Sequence, residues 1–448
     1  MPPLNELYAA TYSRQHGVFP IFLDAQSEPD RYEKMVQARF ENIFALVLMS
    51  ATQSFRRDVS LLERIKSIRP EIKTILFGSH PTFMPQYSLQ ADAVDYIVRR
   101  EPEQTLRELL AALSRNEDPS DLPGLGYKDA DGAIHINPDR PFMNLDDLPI
   151  PDRSLLPKGV DYFNPVVKKV PYTTMQTSRG CPGHCIFCTA PTFYGRRVRT
   201  RSAGSVLEEL RQIKQMGFRE VFFRDETFTA YENRNHEICE GILSENLDLA
   251  WIANARVDMV DSTSLRLMKR AGCHMVKFGV ESGNDEILRN YKKGTNQAQI
   301  REAFAAAQSA GLDTHAHLVF GGPGETLETI DQTIRFVKDL NPTTASFGIL
   351  TPYPGSELFD MVAREHPEIK DGTDSNMDNL HVQGFYNESL CRIEAPQLGR
   401  AVVRAYRKFY LRPTYLARRV LALRSIEEFM VLFVAGLNIF QYALTGDK

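Results

Sequence analysis

Three closely spaced cysteines constrain this chain more than any other feature of its sequence. Cys181, Cys185 and Cys188 follow the spacing C-x3-C-x2-C. Thiolates are the soft ligands that iron–sulfur clusters require, and this spacing lets one loop present three of them to three corners of a cube. The nearest other cysteine in the sequence is Cys239. The pattern therefore predicts a cluster with one iron that lacks a protein ligand, and such an iron is a site for a substrate or cofactor.

Two other interpretations of these cysteines are disfavoured by their surroundings. A structural zinc site normally needs two ligand pairs, and neither a second C-x2-C pair nor a histidine pair follows at zinc-finger spacing. His184 lies inside the loop and is expected to point away from the thiols. Chance clustering of buried cysteines is disfavoured because Gly180, Pro182 and Gly183 are typical of a tight loop rather than of a packed helix face.

The bulk properties indicate a globular protein of two or three domains, because 448 residues are too many for one ordinary core. A net charge of −4 argues against a nucleic-acid partner. Six cysteines, three of them grouped, fit a metal site in a reducing compartment, and so a cytoplasmic location. The N-terminus shows no signal-peptide pattern. No uncharged run reaches the roughly 20 residues of a membrane-spanning helix.

Residues 1–113 alternate between strand-like and helix-like runs. This alternation predicts an α/β domain with a doubly wound, Rossmann-like parallel sheet, whose ligands bind at the carboxyl ends of the strands. The continuous apolar run Phe44–Met49 is typical of a strand buried on both faces. The other predicted strands are Phe19–Leu23, Thr74–Phe77 and Val94–Val98, and the predicted helices are Asp58–Ile68 and Leu106–Leu113.

The rest of the chain divides into three regions. Residues 114–165 are rich in Pro, Asp and Gly and are predicted to be a connector with a hairpin around Asp131 and Gly132. Residues 363–448 are predicted to be mostly helical. Residues 166–362 carry six βα units, with strands at Val170–Gln176, Glu220–Phe223, Leu249–Ala253, Met275–Val280, His315–Phe320 and Ala345–Leu350.

The cysteine motif, with Phe187 before its third cysteine and six βα units around it, resembles the radical S-adenosylmethionine (SAM) enzymes. The resemblance implies a partial (β/α)6 TIM-like barrel and a [4Fe-4S] cluster on Cys181, Cys185 and Cys188, with Phe187 beside SAM. It also implies that the amino and carboxylate groups of SAM chelate the fourth iron. Reduction of the cluster then cleaves SAM to methionine and a 5′-deoxyadenosyl radical.

Further residues that match the family lie at the carboxyl ends of the predicted strands, where barrel active sites form. By resemblance, Glu226 holds the SAM amino group, since an ammonium in a dry pocket favours an anionic partner. A fixed guanidinium at Arg256 suits the SAM carboxylate or ribose, and Glu281 accepts a hydrogen bond from SAM. Gly321 and Gly322 are small enough to let the backbone approach the adenosine.

The N-terminal region resembles the cobalamin-binding domain that precedes many radical SAM enzymes. The resemblance is carried by Pro2-Pro3-Leu4, by segments that follow two predicted strands, and by the run Val94–Glu103. The residues that it implies for cobalamin binding are Ser50, Thr52, Gln53, Gly78, His80 and Glu101.

Several features depart from that family pattern. The family usually has a strand before the Pro-Pro-Leu segment, so this pattern predicts either a degenerate domain or a misassigned start codon. Arg100 replaces the usual glycine. The D-x-H-x-x-G motif that supplies a histidine to cobalt is absent, because its nearest match, Asp313-x-His315, has Leu318 in place of glycine. If cobalamin binds, no histidine is expected on cobalt. His80 is interpreted as a loop residue near the corrin or as an incidental loop histidine.

The resemblance implies a cobalamin-dependent radical SAM methyltransferase, with no catalytic residue assigned. One SAM methylates cob(I)alamin, and a second is cleaved to the radical that abstracts hydrogen from an unactivated carbon. That carbon then takes methyl from methylcobalamin. An alternative is oxidative cyclisation or ring rearrangement with the same cofactors. A methylthiotransferase would need additional N-terminal cysteines. A cobalamin-sensing or iron–sulfur electron-transfer protein would not need the SAM motifs.

Two basic segments and the C-terminus bear on partners. Gly195–Arg201 is either a phosphate-binding patch or a loop that pairs with local carboxylates or cobalamin side chains. Arg404–Arg424 contains seven Lys or Arg residues and precedes the uncharged run Phe429–Leu444. That run is either a helix packed on the barrel or an interfacial helix in peripheral contact with the inner face of the membrane. The expected partners are a lipophilic small molecule, such as a tetrapyrrole or polycyclic lipid, and flavodoxin or ferredoxin as electron donor.

Overall fold

The computed structural model describes residues 1–25, 27, 43–160, 162–369, 386–421 and 436. Within these residues the strands form a five-stranded sheet near the N-terminus, a six-stranded sheet in the middle of the chain, and a two-stranded ribbon. The α/β class with two successive sheets is confirmed.

The N-terminal sheet has helices on both faces. Its core on one face joins Ala9, Ile75 and Leu109, and its core on the other joins Leu62 and Leu76. Because neighbouring residues of one strand enter opposite cores, the sheet is doubly wound as predicted. The strands, which pair in chain order, are β1 (Ala45–Met49), β2 (Lys73–Phe77), β3 (Tyr96–Val98), β4 (Leu125–Lys128) and β5 (Ile134–Ile136). The helices are α1 (Leu4–Gln15), α2 (Phe55–Ile68), α3 (Ser79–Phe83), α4 (Pro85–Gln90) and α5 (Glu103–Arg115).

One strand prediction in this region is wrong, and a second is right about the strand but wrong about its burial. Phe19–Leu23 is irregular, and Phe19 is 83% exposed. Pro20 lacks a backbone N–H, so this short apolar run is poorly suited to a sheet interior. Ala45–Met49 forms a strand, but it is half-buried and Met49 is exposed. Among the described strands it pairs with β2 alone, so it lies at an edge of the sheet rather than in its middle.

The predicted hairpin around Asp131 and Gly132 is confirmed. Its strands β4 and β5 are antiparallel, and Gly126 pairs with Ile136. The hairpin is not a free connector, because β4 also pairs with β3 through Gly126 and Ile97. The N-terminal sheet therefore extends beyond residue 113.

The six-stranded sheet is a partial parallel barrel, as the six βα units predict. Every neighbouring pair of its strands is parallel. Its strands are β6 (Tyr172–Met175), β9 (Glu220–Phe223), β10 (Ala250–Ala255), β11 (Cys273–Glu281), β12 (Asp313–Phe320) and β13 (Thr344–Ile349). The ribbon between β6 and β9 consists of β7 (Ser178–Arg179) and β8 (Arg199–Thr200). The helices are α6 (Ala190–Tyr194), α7 (Ala203–Gln215), α8 (Glu232–Ser244), α9 (Ser262–Arg270), α10 (Asp285–Asn290), α11 (Gln297–Ser309), α12 (Leu327–Leu340) and α13 (Glu357–Glu365).

Local sequence fixes where the barrel helices begin. Asn296 and Thr326 form capping boxes at the starts of α11 and α12, which satisfy backbone N–H groups that have no partner within the helix. The helices then cover outward-facing strand residues such as Trp251, Phe278 and Phe320. Because strand side chains alternate, the intervening residues face the interior of the barrel.

Three further helices follow the barrel. Tyr410 covers the outer edge of β13, since its Oη accepts from Ala345 N at 2.9 Å and lies 2.6 Å from Ala345 O. Covering an edge strand in this way satisfies backbone groups that would otherwise be unpaired. These helices are α14 (Asn387–Cys391), α15 (Ala395–Tyr410) and α16 (Pro413–Leu421).

The described part of the basic C-terminal segment lies on the barrel. Arg404 and Lys408 each approach Asp331 at 3.4 Å, and Arg418 donates to the backbone of Asn341. The uncharged run at residues 429–444 lies outside the described residues, apart from residue 436. In the described part of the chain, no helix has both the length and the apolar character needed to cross a membrane.

Candidate active site

The three predicted cluster cysteines lie in one loop at the carboxyl end of β6. All three are partly exposed and none forms a disulfide. A Cβ atom placed on Gly183 would lie 3.4 Å from Cys181 Sγ and 3.7 Å from Cys185 Sγ. Two of the thiols therefore flank the same glycine. Cys188 is close enough to both for their charges to influence its pKa.

The donor set suits an iron–sulfur cluster. Three thiols on one accessible loop are what a cluster with an open iron requires, each thiolate binding its own iron. Within the described residues, no three His, Cys, Asp or Glu side chains are arranged as ligands of a single metal ion. A single metal ion needs all its ligands around one point, whereas a cluster needs each thiolate at a different iron.

The backbone of the cysteine loop is held from two sides. Ile186 N donates to Tyr291 O at 3.1 Å, and Ile186 O accepts from Leu358 N at 2.7 Å. The ring of Phe187, which was predicted to lie beside SAM, meets the Tyr291 ring edge-on at 5.8 Å between centroids. The loop is thus fixed by β13–α13 and α10 before any cofactor binds.

Burial favours the protonated thiol at Cys185 and Cys188 when no metal is bound. It raises the pKa of Cys188 to about 12 and also raises that of Cys185. Lys293 and Arg256 oppose the effect on Cys185, because a nearby cation favours the thiolate. Metal coordination deprotonates a thiol outright, so loading of this site is expected to release protons.

Glu226 is the carboxylate best placed to bind a cation beside this loop. It follows β9, and it accepts a backbone hydrogen bond from Gly180, next to the first cysteine. Its Oε2 is buried and has no hydrogen-bond partner among the described residues. Burial raises the pKa of Glu226 to about 7. An unpaired buried carboxylate oxygen fits the ammonium group that the sequence assigns to it.

The Glu226→Gln substitution is expected to weaken SAM binding about tenfold or more, because it replaces a charge-assisted hydrogen bond with a neutral one of the same shape. Equilibrium dialysis of SAM against the reconstituted protein measures the effect. Glu232→Gln is the matched control, since Glu232 is exposed at the start of α8. Unchanged SAM affinity at normal iron content would contradict the assignment.

Arg256 lies between the cysteine loop and an acidic partner. It donates to both carboxylate oxygens of Asp258 at 2.9 Å through Nε and Nη2. Its Nη1 would be 3.0 Å from a Cβ atom on Gly183. One face of the guanidinium is therefore fixed by Asp258, and the remaining amino group faces the cysteines, as an anion-binding role requires.

Glu281 is paired with a lysine that sequence reasoning missed. Lys293 Nζ donates to Glu281 Oε1 at 2.8 Å, and both side chains are buried. Glu281 adopts a φ of +62°, which is uncommon for a residue other than glycine. Burial alone would lower the pKa of Lys293, but Glu281 raises it above its usual value. Lys293 follows a helix rather than a strand, so the strand-end rule does not point to it.

The structure gives Gly321 and Gly322 a packing role. A Cβ atom on Gly322 would lie 2.1 Å from the Tyr291 ring, and one on Gly321 would lie 2.8 Å from the Asn387 amide nitrogen. Both backbone N–H groups donate to Glu325, whose pKa burial raises to about 7. The two glycines are therefore needed for contacts within the protein, and their contact with adenosine remains a prediction.

Five of the six residues predicted for cobalamin lie just after the carboxyl ends of β1 and β2. Gly78 has a φ of +114°, and a Cβ atom there would lie 2.6 Å from Ser50 O. His80 lies in α3 rather than in a loop and is fully buried, with Nδ1 3.3 Å from Thr52 Oγ1. Its Nε2 has no partner among the described residues, and burial lowers its pKa to about 3. The glycine is needed for packing within the protein, whereas the unpaired buried nitrogen of His80 at these strand ends fits a ligand site.

Two of the predicted cobalamin residues, Gln53 and Glu101, contact the barrel. Gln53 Nε2 donates to Tyr353 Oη at 2.5 Å, beyond β13. Glu101 forms ion pairs with Arg179, at 3.3 Å, and with Arg199. Glu101 is thus occupied by arginines of the β7–β8 ribbon, and its contact with cobalamin remains a prediction.

Two arginines of the basic segment at 195–201, Arg199 and Arg201, pair with carboxylates of the protein, in agreement with the second of its two interpretations. Arg201 and Arg153 both bind Glu209, and all three side chains are buried. Arg201 Nη1 also lies 3.4 Å from Tyr8 Oη in α1. These contacts tie α1, the connector and the first barrel helix together behind the cysteine loop.

Comparisons with known proteins agree with this arrangement. Residues 1–110 match the B12 binding domain, and residues 175–337 match the radical SAM superfamily. An uncharacterized methyltransferase of Pyrococcus horikoshii is 33% identical over 94% of this chain and 90% of its own length. The anaerobic magnesium-protoporphyrin IX monomethyl ester cyclase of Rubrivivax gelatinosus is 30% identical over 80% of this chain and 66% of its own length.

Two solved structures share the fold. The radical SAM methyltransferase TsrM from Kitasatospora setae, solved with cobalamin and a [4Fe-4S] cluster, has a TM-score of 0.71 at 19% identity, covering 82% of this chain and 76% of its own. The cobalamin-dependent SAM radical enzyme OxsB, solved with aqua-cobalamin and SAM, has a TM-score of 0.73 at 17% identity, covering 99% of this chain and 71% of its own.

Proposed function

Because the chain belongs to the radical SAM enzymes that carry an N-terminal B12-binding domain, we propose that it transfers a methyl group to a carbon atom of a small molecule. The cofactors of this family are a [4Fe-4S] cluster, SAM and cobalamin. The observation that carries the proposal is the unpaired carboxylate oxygen of Glu226 beside the three-cysteine loop. It offers an ammonium site next to a cluster site, as SAM requires.

In this proposal each side chain of the barrel edge has one task. Cys181, Cys185 and Cys188 hold the cluster, Glu226 binds the SAM amino group, and Arg256 Nη1 binds the SAM carboxylate. The bound cofactors supply the radical and the methyl group, and the protein orients them and excludes water. The two backbone hydrogen bonds of Ile186 support these roles, since they hold the cysteine loop in place independently of the cofactors.

We further propose that cobalamin and SAM share one active site between the two sheets. The contact of Gln53 with Tyr353 supports this arrangement, because it joins the carboxyl end of β1 to the carboxyl end of β13. The edge-on packing of Phe83 in α3 against Phe193 in α6, at 6.0 Å, supports it as well. Ligands of both kinds of sheet bind at these strand ends.

The proposal predicts that SAM is converted to two products in equal amounts. Reconstituted enzyme, reduced under anaerobic conditions, is incubated with SAM that carries a deuterated methyl group and with a metabolite extract of a strain that lacks the gene. We expect S-adenosylhomocysteine and 5′-deoxyadenosine in a ratio of about one, because each transfer consumes one SAM as methyl donor and one as radical source. Mass spectrometry then identifies the extract compound that gains the deuterated methyl group.

The other functions give different products in this experiment. An oxidative cyclase or ring-rearrangement enzyme yields 5′-deoxyadenosine with a new product that lacks the deuterated methyl group, an outcome to which the cyclase relative gives some support. A cobalamin-sensing or electron-transfer protein yields neither product from SAM. Either result would replace methyl transfer as the function.

Two partners belong to the same proposal. We propose that flavodoxin or ferredoxin reduces the cluster, which requires a reducing compartment such as the cytoplasm. We also propose peripheral membrane contact through residues 429–444, on the basis of their uncharged sequence after a basic segment. Flotation with anionic liposomes tests the second point, and equal flotation of the full chain and a chain cut after residue 424 would refute it.

A further inference from the structure

The barrel interior has an apolar floor. Phe222 packs there with Tyr172, Ile252 and Met275 on inward-facing positions of four neighbouring strands. None of the four belongs to the outer core that the barrel helices cover. These four side chains make up the floor of the barrel interior.

Two cationic side chains lie over this floor. Lys277 Nζ is 4.9 Å from the centroid of the Phe222 ring, and Arg224 Cζ is 5.4 Å from the same centroid. They extend from β11 and from the end of β9, so they approach the ring from separate strands. Two like charges over one ring repel each other, and the ring quadrupole offsets that repulsion only in part.

Among the described residues, no carboxylate lies within ion-pair distance of either cation. Burial, with a smaller contribution from Arg224, lowers the pKa of Lys277 to about 8, and no acidic group opposes the shift. Burial also lowers the pKa of Arg224, and the charge of Glu226 opposes that effect only in part. The guanidinium of Arg224 contacts the sulfur of Met1 through Nη1 at 3.2 Å. Glu220, at the start of β9, is occupied by His274 at 2.8 Å and by two backbone N–H groups.

The two histidines on which the charge of Lys277 acts are neutral. Burial lowers the pKa of His317 to about 3, and that of His315 falls well below its usual value. Their rings lie 4.3 Å apart and contact the hydroxyl groups of Thr344 and Ser346. Neutral imidazoles can donate hydrogen bonds to a ligand, but they do not balance the charge of Lys277 and Arg224.

We propose that Lys277 and Arg224 form an anion-binding site on the barrel floor, and that the substrate carries a carboxylate or phosphate group that binds there. Lys277 is half-buried and Arg224 is exposed, so both can reach a ligand. A partly desolvated cation without a counter-ion favours an anionic partner, which such a ligand would supply. This inference rests on the proposed methyl transfer, because it states which chemical class of substrate would be methylated.

The position of the site also bears on the substrate. Lys277 lies two positions before Gly279 on β11, and a Cβ atom on Gly279 would lie 2.7 Å from Lys293 Nζ. Lys293 in turn acts on Cys185 of the cysteine loop. A substrate anchored at Lys277 would therefore lie on the same inner face of β11 as the groups beside the cluster site.

Small probe ligands test the site on the reconstituted holoenzyme with saturating SAM present. The probes are propanoate, inorganic phosphate and neutral propionamide, with affinities from isothermal titration or saturation-transfer NMR. We expect the probe that carries the same anionic group as the substrate, carboxylate or phosphate, to bind at least about tenfold more tightly than propionamide. Which of the two anions binds more tightly distinguishes a carboxylate substrate from a phosphate substrate.

Substitutions of Lys277 test whether the anion binds at the barrel floor. Lys277→Met keeps the length and apolar character of the side chain without its charge, and it should weaken anion binding at least about tenfold. Lys277→Arg should retain the binding, and Lys214→Met on exposed α7 is the matched control. Equal binding of anions and propionamide, displacement of the anion by SAM, or full affinity in Lys277→Met would overturn the proposal. Failure of the wild-type enzyme to cleave SAM would refute the proposed function and leave this binding result standing.

Discussion

Replacing Cys188 with alanine is expected to abolish the reductive cleavage of SAM. Each of the three thiolates binds one iron, so removing one leaves two irons without protein ligands, and the cluster cannot be retained. Alanine is preferred to serine because a hydroxyl group can still act as a ligand. Iron and sulfide content after anaerobic reconstitution, together with 5′-deoxyadenosine formed after reduction, measures the effect. The same loss is expected for Cys181 and Cys185.

Cys239→Ala is the matched control for these variants. Cys239 is buried in the outer core of the barrel on α8, far from the loop in sequence. Its replacement removes a small apolar contact and should leave iron content and SAM cleavage unchanged. If Cys188→Ala kept a full cluster while Cys239→Ala lost it, the cluster would have to be placed elsewhere.

The second large effect concerns stability. Glu209→Ala is expected to lower the free energy of unfolding by about 3–5 kcal/mol, because it leaves two buried arginines without their counter-ion. Arg153 Nη2 donates to Glu209 at 2.5 Å, Arg201 donates to its other carboxylate oxygen, and Glu209 is fully buried. Burial raises the pKa of Glu209, but the two arginines outweigh burial and hold it below its usual value. Urea titration of the purified protein measures the change.

The neighbouring residue supplies the control for that experiment. Glu208 lies on the same helix and pairs with Arg211 at 2.5 Å on the surface. Exposed pairs contribute little to stability, so Glu208→Ala should leave the unfolding midpoint close to that of the wild type. Equal destabilisation by the two substitutions would show that burial of the ion pair is not the cause.

The barrel and its strand ends could be predicted from the sequence because their signals are local. Most barrel strands contain a short apolar run, and the charged motifs lie at or just after the strand ends, as Glu226 follows β9. The parallel connection of the strands then brings these ends to one edge. The three cysteines are local in the same sense, since one loop contains them all.

The features that could not be predicted depend on contacts between distant residues. Glu101 matches a family motif, but its partner Arg199 lies 98 positions away. Lys293 and Lys277 belong to no motif, and their roles follow only from which side chains the barrel interior brings near them. Phe19–Leu23 shows the opposite error, because an apolar run with a proline at its second position has the composition of a strand but lacks one of the backbone donors that a sheet needs.

The central claim is that SAM binds the iron that lacks a protein ligand, with its amino group at Glu226. Electron–nuclear double resonance tests this claim most directly. The reconstituted, reduced protein is mixed with SAM that carries 17O in its carboxylate or 15N in its amino group. The claim predicts hyperfine coupling of both nuclei to the cluster, with the 15N signal diminished in Glu226→Gln. A cluster spectrum that is unchanged by labelled SAM would contradict it.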